Sequence, residues 1–414
     1  MEKIKLKTQN ICIFGLGYVG LPLAIEFSKY FNVLGFDNNE DRIKNLKKNV
    51  DFHNSITKKI LTRSKIKFSS NEKDIKDCNI FIVTVPTPVN KNKSPDLIPL
   101  KKATITISKY LKKNDFVIYE STVYPGLTEE VLVPILKKKN RFNLNKDFFV
   151  GYSPERISPG DKRKLSDIIK IVSGSNKSSS KIIFNLYKKI IKAGVYLAPN
   201  IKTAEASKIL ENIQRDINIS LMNEVSIIFN KLDINTFEVL KAAGTKWNFL
   251  KFSPGLVGGH CISVDPYYMK YKAKKIGIET QVISSGRKIN EKMVNNIFNR
   301  IIKYFKSKKL PIRDVGVMGL SFKENSSDTR NSQIFKAVKL FKNKKIRIQL
   351  LDPKVDKTKL SKNYRQHYVN KFNRKLDCLI LSTPHDEFIK LKESYFKKIL
   401  KNNSLIFDVK NKLK

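Results

Sequence analysis

The chain has 414 residues, 41% of them hydrophobic, and a formal net charge of +44 from 81 Lys and Arg against 37 Asp and Glu. That length implies two or three domains with ordinary cores. No apolar run approaches the roughly 20 residues that a membrane span needs. The early run ICIFGLGYVGLPLAIEF is broken by glycines and lacks a small-residue cleavage site, so no signal peptide is expected.

The cysteines, Cys12, Cys78, Cys261 and Cys378, lie far apart with no CxxC pair. Neither a disulfide framework nor a metal site is expected, and a reducing, cytoplasmic location follows. The lysines are spread along the whole chain beside Ile and Asn, without an RNP, zinc-finger or basic-arm pattern. A solvated lysine-rich surface accounts for the charge most simply, against a nucleic-acid or membrane-surface reading. We therefore expect no nucleic-acid partner and no membrane insertion. A positive field would also draw in an anionic substrate.

Residues 10–39, NICIFGLGYVGLPLAIEFSKYFNVLGFDNN, hold the first motif. Ile11 to Phe14 predict a buried parallel strand. Gly15, Gly17 and Gly20 then fit G-x-G-x-x-G, with Tyr18 and Val19 completing the loop. Leu21 to Lys29 predict a helix that tolerates Pro22 in its first turn, and Val33 to Phe36 a second strand ending at Asp37. The glycines supply a tight turn, access for a pyrophosphate and close helix packing. Asp37 can accept both ribose hydroxyls and would repel a 2′-phosphate, which favours NAD over NADP.

Further strands end in turn chemistry. CNIFIVTVPTPV ends at Thr84 to Pro88, DFVIYESTVYPGLTEEV passes through Glu120-Ser121-Thr122 into a helix, and DFFVGYSPERISPGD sets Ser153 to Pro159 after a strand. Ligands of doubly wound sheets bind beyond the carboxyl ends of strands, so Thr87, Thr122 and Glu155 are expected in one crevice.

Residues 203–234 predict a long helix. Ile209, Ile213, Ile217, Leu221 and Val225 recur every four residues as its packing stripe, while Lys208, Asn212 and Arg215 share another face. Such a trio is either solvated or functional, and the broad apolar face suits a dimer spine. After it, FSPGLVGGHCISVDPYYM sets Cys261 behind Gly258, Gly259 and His260, where backbone can approach a ligand closely. The segments DVGVMGLSFK, IRIQLLDP, LDCLILSTP and SLIFDVKN predict a second set of parallel strands with helices between them. The fold class is α/β, with two Rossmann-type doubly wound domains joined by a long central helix and a helical dimerisation region. The expected domains are a cofactor domain over 1–200, a central helical and catalytic-loop domain over 201–300 and a substrate domain over 301–414.

Taken together and in order, IFGLGYVGLPLA, VPTPV, ESTVYPG, SPERISPG, AEASKILENIQRDINI, PGLVGGHCISVDPYY and FKENSSDTRNS resemble the nucleotide-sugar 6-dehydrogenases over essentially the whole chain. The GGHC and DPYY wording is similar to the UDP-N-acetylhexosamine branch. UDP-glucose and GDP-mannose dehydrogenases are the alternatives. The resemblance implies oxidation of the sugar C6 hydroxyl to a carboxylate with two NAD⁺, through a thiohemiacetal and a thioester on Cys261, supplying surface polysaccharide precursors.

The resemblance also implies that Lys208 transfers a proton and stabilises an oxyanion, with Asn212 as its partner. Asp265 would activate water, and Glu155 would assist hydrolysis. Arg156, Ile157, Arg215, Gly258, Phe322, Lys323 and Lys410 would contact the UDP-sugar, and Arg330 the cofactor. A homodimer is implied. Two departures stand out: Pro159 replaces a second glutamate, and AAGTKWNFLKF lacks the arginine expected near Trp247. His260 has two readings, a base or an imidazole that orders the loop.

Overall fold

The computed structural model describes residues 9–52, 55–157 and 163–413. Eight strands make the first sheet: β1 (Asn10–Phe14), β2 (Asn32–Phe36), β3 (Lys67–Ser69), β4 (Ile80–Val83), β5 (Asp115–Tyr119), β6 (Phe148–Tyr152), β7 (Lys170–Gly174) and β8 (Val195–Leu197). Their spatial order is β3-β2-β1-β4-β5-β6-β7-β8. All neighbours are parallel except β6 and β7, which pair antiparallel through Gly151–Gly174 and Tyr152–Ser173. Strands β4, β5 and β6 are buried along their whole length. That is why they read as unbroken apolar runs: helices cover both faces of a parallel sheet. Ile13, Leu23, Phe27, Ile82, Ile118, Ile183 and Tyr187 belong to the core that results.

A second sheet holds β9 (Asp314–Met318), β10 (Arg347–Leu351), β11 (Leu376–Leu381) and β12 (Leu400–Asp408), in the order β10-β9-β11-β12 and all parallel. The four segments expected from the sequence are these four strands. Helices Gln281–Ser307 and Ile334–Asn343 add Ile297, Phe298, Ile301, Val338 and Phe341 to its core.

Packing divides the chain into two compact units. The first takes residues up to Glu211 together with Tyr267–Gly277, and the second takes Asn212–Pro266 and Ile278–Lys414. The expected α/β architecture with two doubly wound sheets is present. The long helix between them in sequence runs Ile201–Lys231.

The packing stripe of that helix differs from the expected one. Ile209 and Ile213 are buried, but Ile217 and Val225 are only half-buried and Leu221 is 49% exposed. Four residues turn an α-helix through about 400°, so a strict every-fourth pattern drifts about 40° per step and leaves the buried face. The buried face is instead largely polar, with Glu205, Lys208, Asn212, Asp216, Ser220, Asn223 and Ser226. Lys208 and Asn212 are thus buried rather than solvated, whereas Arg215 is exposed.

Asp115 opens β5 and is 2% exposed. Its carboxylate accepts the Lys112 backbone N–H at 2.8 Å, and burial pushes its pKa from 3.8 up to about 7. Because the folded value is the raised one, the native state loses stability as pH climbs from 3.8 to about 7. Asp115→Asn should therefore gain in Tm relative to the wild type across that window and hold the gain above it. Thermal melts from pH 4 to pH 8 measure this, and a pH-independent difference would contradict it.

Candidate active site

In the first unit, the glycine loop joins β1 to the helix Gly20–Ser28, and its glycines meet three different demands. Gly15 takes φ +90°, and a Cβ there would sit 3.2 Å from Thr84 backbone atoms. A Cβ on Gly20 would lie 1.8 Å from the Gly15 carbonyl oxygen, so the helix packs against the loop without room for a methyl. A Cβ on Gly17 would meet nothing within 4 Å. Gly17 thus faces open space, as a loop that admits a pyrophosphate requires. Thr84 ties the turn down by donating its hydroxyl to Phe14 and Gly15 carbonyls at 2.8 and 2.7 Å.

Asp37 ends β2. Its Oδ2 accepts the Leu16 N–H at 2.8 Å and its Oδ1 the Asn39 N–H at 2.9 Å, which aims the carboxylate beside the loop. Arg42 is buried and engaged elsewhere: its Nε donates to the Leu16 carbonyl at 2.9 Å and its Nη1 to Asp51 at 2.7 Å. A 2′-phosphate would meet an acidic group there and an arginine already committed. These residues fit NAD.

Beyond the strand ends, Thr87 and Thr122 are half-buried and Glu155 is 8% exposed. Tyr268 donates its hydroxyl to the Thr87 carbonyl at 2.8 Å. Glu155 Oε1 accepts the N–H of Arg156 at 2.6 Å and that of Ile157. The Arg156 guanidinium reaches Glu211 at 2.9 Å and the Ile169 carbonyl at 3.0 Å. Pro159 lies outside the described residues.

In the second unit, Cys261 is half-buried in the turn before the helix Asp265–Lys275. Its carbonyl accepts the N–H groups of Val264 and Asp265 at 3.0 and 2.8 Å. Asp265 is 1% exposed, and the Asn212 side-chain amide donates to its Oδ2. Two residues 53 apart in sequence thus meet, and both were singled out from the sequence. Lys208 lies one turn before Asn212 on the same helix and is 7% exposed.

The glycines ahead of the thiol are packed against the loop after β9. A Cβ on Gly258 would be 2.7 Å from the Asn331 carbonyl oxygen. Gly259 sits at φ +84° with the Phe322 ring 2.6 Å from where a Cβ would go. Asn331 Nδ2 and Ser263 Oγ both donate to the Gly259 carbonyl, at 3.2 and 2.6 Å. Phe322, Gly258 and Gly259 therefore form one packed element, with Lys323 following. Arg330 is held by Asp328 at 2.6 and 2.9 Å, and Lys410 is paired with Glu324. Burial, then the Arg330 charge, holds the His260 imidazole below its ordinary pKa. A neutral ring at pH 7 follows.

Some positioning residues gave no sequence signal. Glu205 is fully buried and clamps the loop after β5, accepting the N–H of Gly126 at 2.5 Å and of Thr128 at 3.0 Å. Burial pushes its pKa up to about 7. Asn223 pairs with both backbone groups of Gly255, at 3.0 and 2.8 Å, and with Asn290 at 2.8 Å. A lone Glu or Asn in a helix is ordinarily solvated, so only the fold reveals these contacts.

The two glycines give opposite expectations. Gly20→Ala forces a methyl against backbone and should lower Tm by several degrees. Gly17→Ala has space for its methyl and does not sit at positive φ, so Tm should hold. That methyl occupies ligand space, and NAD affinity should fall by about tenfold or more. Thermal melts and calorimetric NAD titration separate the two. A Gly17→Ala enzyme with wild-type NAD affinity would overturn the assignment of that space.

Comparison with known proteins agrees with this geometry. Residues 9–191 match the NAD binding domain of the UDP-glucose/GDP-mannose dehydrogenase family, 202–292 its central domain and 316–414 its UDP binding domain. The chain is 45% identical over 406 residues to Protein CapL of Staphylococcus aureus, covering 97% of this chain and 96% of that one. It is equally 45% identical to the UDP-N-acetyl-D-glucosamine 6-dehydrogenase of Salmonella typhi, with the same coverage. The solved UDP-D-ManNAc dehydrogenase of Pyrococcus horikoshii aligns with a TM-score of 0.87 at 30% identity, over 98% of this chain and 96% of that one. The chain therefore belongs to the UDP-glucose/GDP-mannose dehydrogenase family and is an NAD-dependent nucleotide-sugar dehydrogenase.

Proposed function

We propose that the enzyme is a UDP-N-acetyl-D-glucosamine 6-dehydrogenase that turns the C6 hydroxyl into a carboxylate, supplying a precursor for a surface polysaccharide. The observation that carries the mechanism is a thiol in a closely packed glycine turn, one turn ahead of a buried Asp265 held by Asn212. The substrate rests on the relatives of that name at 45% and 44% identity.

Bound at the loop Gly15–Gly20 and Asp37, NAD⁺ supplies hydride acceptance for the two oxidations. Thr87, Thr122 and Arg330 are read as further cofactor contacts. Lys208 moves the proton of the C6 oxygen and offsets its developing charge. Cys261 adds its thiolate to the C6 aldehyde; a thiol is the strongest side-chain nucleophile at neutral pH, and covalent capture retains the reactive aldehyde. Once the adduct is a thioester, water adds at the carbonyl carbon, the C–S bond breaks and the thiolate leaves. Asp265 and Glu155 are the carboxylates that can take the proton from that water. Arg156, Ile157, Arg215, Gly258, Phe322, Lys323 and Lys410 are read as UDP-sugar contacts. The functional division into 1–200, 201–300 and 301–414 follows the same reading.

The partner surface is read as a second copy of the chain. Helix Thr236–Ala243 has no buried residue, and near it in sequence Trp247 is 91%, Leu250 59% and Leu232 61% exposed. A solvent-facing helix with that much apolar surface needs a cover. We read the enzyme as cytoplasmic, as expected from its sequence; no described helix is long and apolar enough to cross a membrane.

Counting product tests the mechanism. Wild-type enzyme should make about two NADH per UDP-sugar consumed, and Cys261→Ala at most about one, with aldehyde trapped by a carbonyl reagent. Lys208→Ala should slow both oxidations. UDP-N-acetylglucosamine should give a higher kcat/KM than UDP-glucose, UDP-N-acetylgalactosamine or UDP-N-acetylmannosamine. Near-normal uronate formation by Cys261→Ala would sink the covalent mechanism.

A further inference from the structure

The second sheet opens its ligand crevice where two neighbouring strands send their connections opposite ways. β9 leads through the helix Ile334–Asn343 to β10 on one side, and β11 leads to β12 on the other. Doubly wound sheets hold ligands beyond the carboxyl ends of such a pair. Met318 of β9 pairs with Leu381 of β11, so the two ends are level. The loop after β9 carries Phe322 and Lys323, and the segment after β11 carries Thr383 and His385.

His385 is 0% exposed, and its ring is bonded through both nitrogens. The Asn325 backbone N–H donates to Nδ1 at 2.9 Å. Nδ1 is therefore the acceptor, which assigns the ring proton to Nε2. Nε2 lies 3.1 Å from Asp352 Oδ2, just past β10, and 3.3 Å from Ser321 Oγ. Asp352 Oδ2 also accepts the N–H groups of Leu320 and Ser321, at 2.6 and 3.2 Å. Ser321 Oγ donates to the Lys323 carbonyl at 2.9 Å, and Thr383 Oγ1 to the Ser321 carbonyl at 2.6 Å. Asn325, at φ +56°, closes a reciprocal pair with Asp386: its Nδ2 donates to Oδ1 at 3.0 Å, and its Oδ1 accepts the Asp386 N–H at 3.1 Å. The backbone of Leu320, Ser321, Lys323 and Asn325 is thus tied to the ring or to a group that the ring touches.

Serine, histidine and aspartate are also the parts of a hydrolytic triad, but this arrangement is not one. A triad sets the serine and the carboxylate on opposite ring nitrogens. Here both share Nε2, a backbone N–H occupies Nδ1, and Ser321 is 1% exposed. The group holds a loop. Without the ring, the Asn325 N–H loses its acceptor and the bonds to Asp352 and Ser321 lose their common centre.

We propose that His385 is a positioning residue for UDP-sugar binding, setting Phe322 and Lys323 from beneath by fixing the backbone on either side of them. This rests on the reading of those two residues as UDP-sugar contacts. The Phe322 ring also fills the space beside Gly258 and Gly259, so its placement bears on the turn that leads to Cys261. Arg330, further along the loop, is anchored apart from the ring by Asp328.

Calorimetric titration with UDP-N-acetylglucosamine in the absence of NAD⁺, well below Tm, reads the effect. His385→Ala should weaken that binding about tenfold, the loss of about one well-placed hydrogen bond, with a smaller change in NAD⁺ affinity. His385→Asn sets an amide oxygen where Nδ1 stood and should recover most of the loss. His385→Gln reaches toward Asp352 only and should recover less. Wild-type affinity in His385→Ala, or a loss of NAD⁺ affinity as large as that for the UDP-sugar, overturns the proposal. Ser321→Ala removes a single hydroxyl and decides the question if His385→Ala does not fold: it frees the Lys323 carbonyl and should weaken UDP-sugar binding about threefold, and wild-type affinity there overturns the proposal. Lys323→Ala tests the reading beneath it. Wild-type affinity in that variant overturns Lys323 as a contact, and the role of His385 with it. Weakened binding in Lys323→Ala beside wild-type binding in His385→Ala overturns the role of His385 alone.

Discussion

A buried polar atom has to find a partner, and the long helix Ile201–Lys231 buries a row of them. Glu205 satisfies itself on the backbone of Gly126 and Thr128, Asn212 on Asp265, Asp216 on Arg287 and Asn290, and Asn223 on Gly255. Of these partners, Asp265 lies just after the Cys261 turn, and its own N–H donates to the Cys261 carbonyl. An apolar stripe would have packed the same helix, but apolar contacts tolerate sliding. Hydrogen bonds at a fixed distance do not, so within each unit the groups bonded to the helix are held at a defined distance from it.

The same need explains the charges inside the first sheet. A protein with a net charge of +44 has no shortage of lysines for solvent, yet it places Lys170 in full burial against Glu120. Removing a single member of such a pair leaves an uncompensated ion, which is far more damaging than replacing the pair as a whole. Arg42 with Asp51 follows the same rule beside the glycine loop, where the arginine also bonds the Leu16 carbonyl.

Much of this was legible in the sequence, and the reasons are specific. Strands β4 to β6 announce themselves because both their faces are covered. The loop Gly15–Gly20 is legible because Gly15 and Gly20 leave no room for a methyl while Gly17 faces open space, which is the pattern that G-x-G-x-x-G encodes. Cys261, Asp265 and Asn212 were identified by motif, and the fold brings the last two together. The helix stripe was misjudged because apolar periodicity was taken as the only packing signal, whereas here polar residues occupy the buried face. Lys170 was illegible for another reason. Nothing local marks a strand as reversed, so a lysine opening KIVSG reads as a solvated strand end until the pairing of β6 with β7 is known.

The interleaving of the two units has a consequence for synthesis. The first unit is not finished at Glu211; it also includes Tyr267–Gly277, where Tyr268 bonds the Thr87 carbonyl and Lys272 pairs with Glu130 at 2.7 Å. A nascent chain leaving the ribosome therefore cannot complete its cofactor-binding half from the N-terminal segment alone. It must wait for residues that emerge after the cysteine turn. Translation order and fold order part company here, and the stretch from 212 to 266 is made while the unit on either side of it in sequence is still incomplete. A break in synthesis anywhere in that window yields a sheet without its last helix, a distinct species for chaperones to recognise.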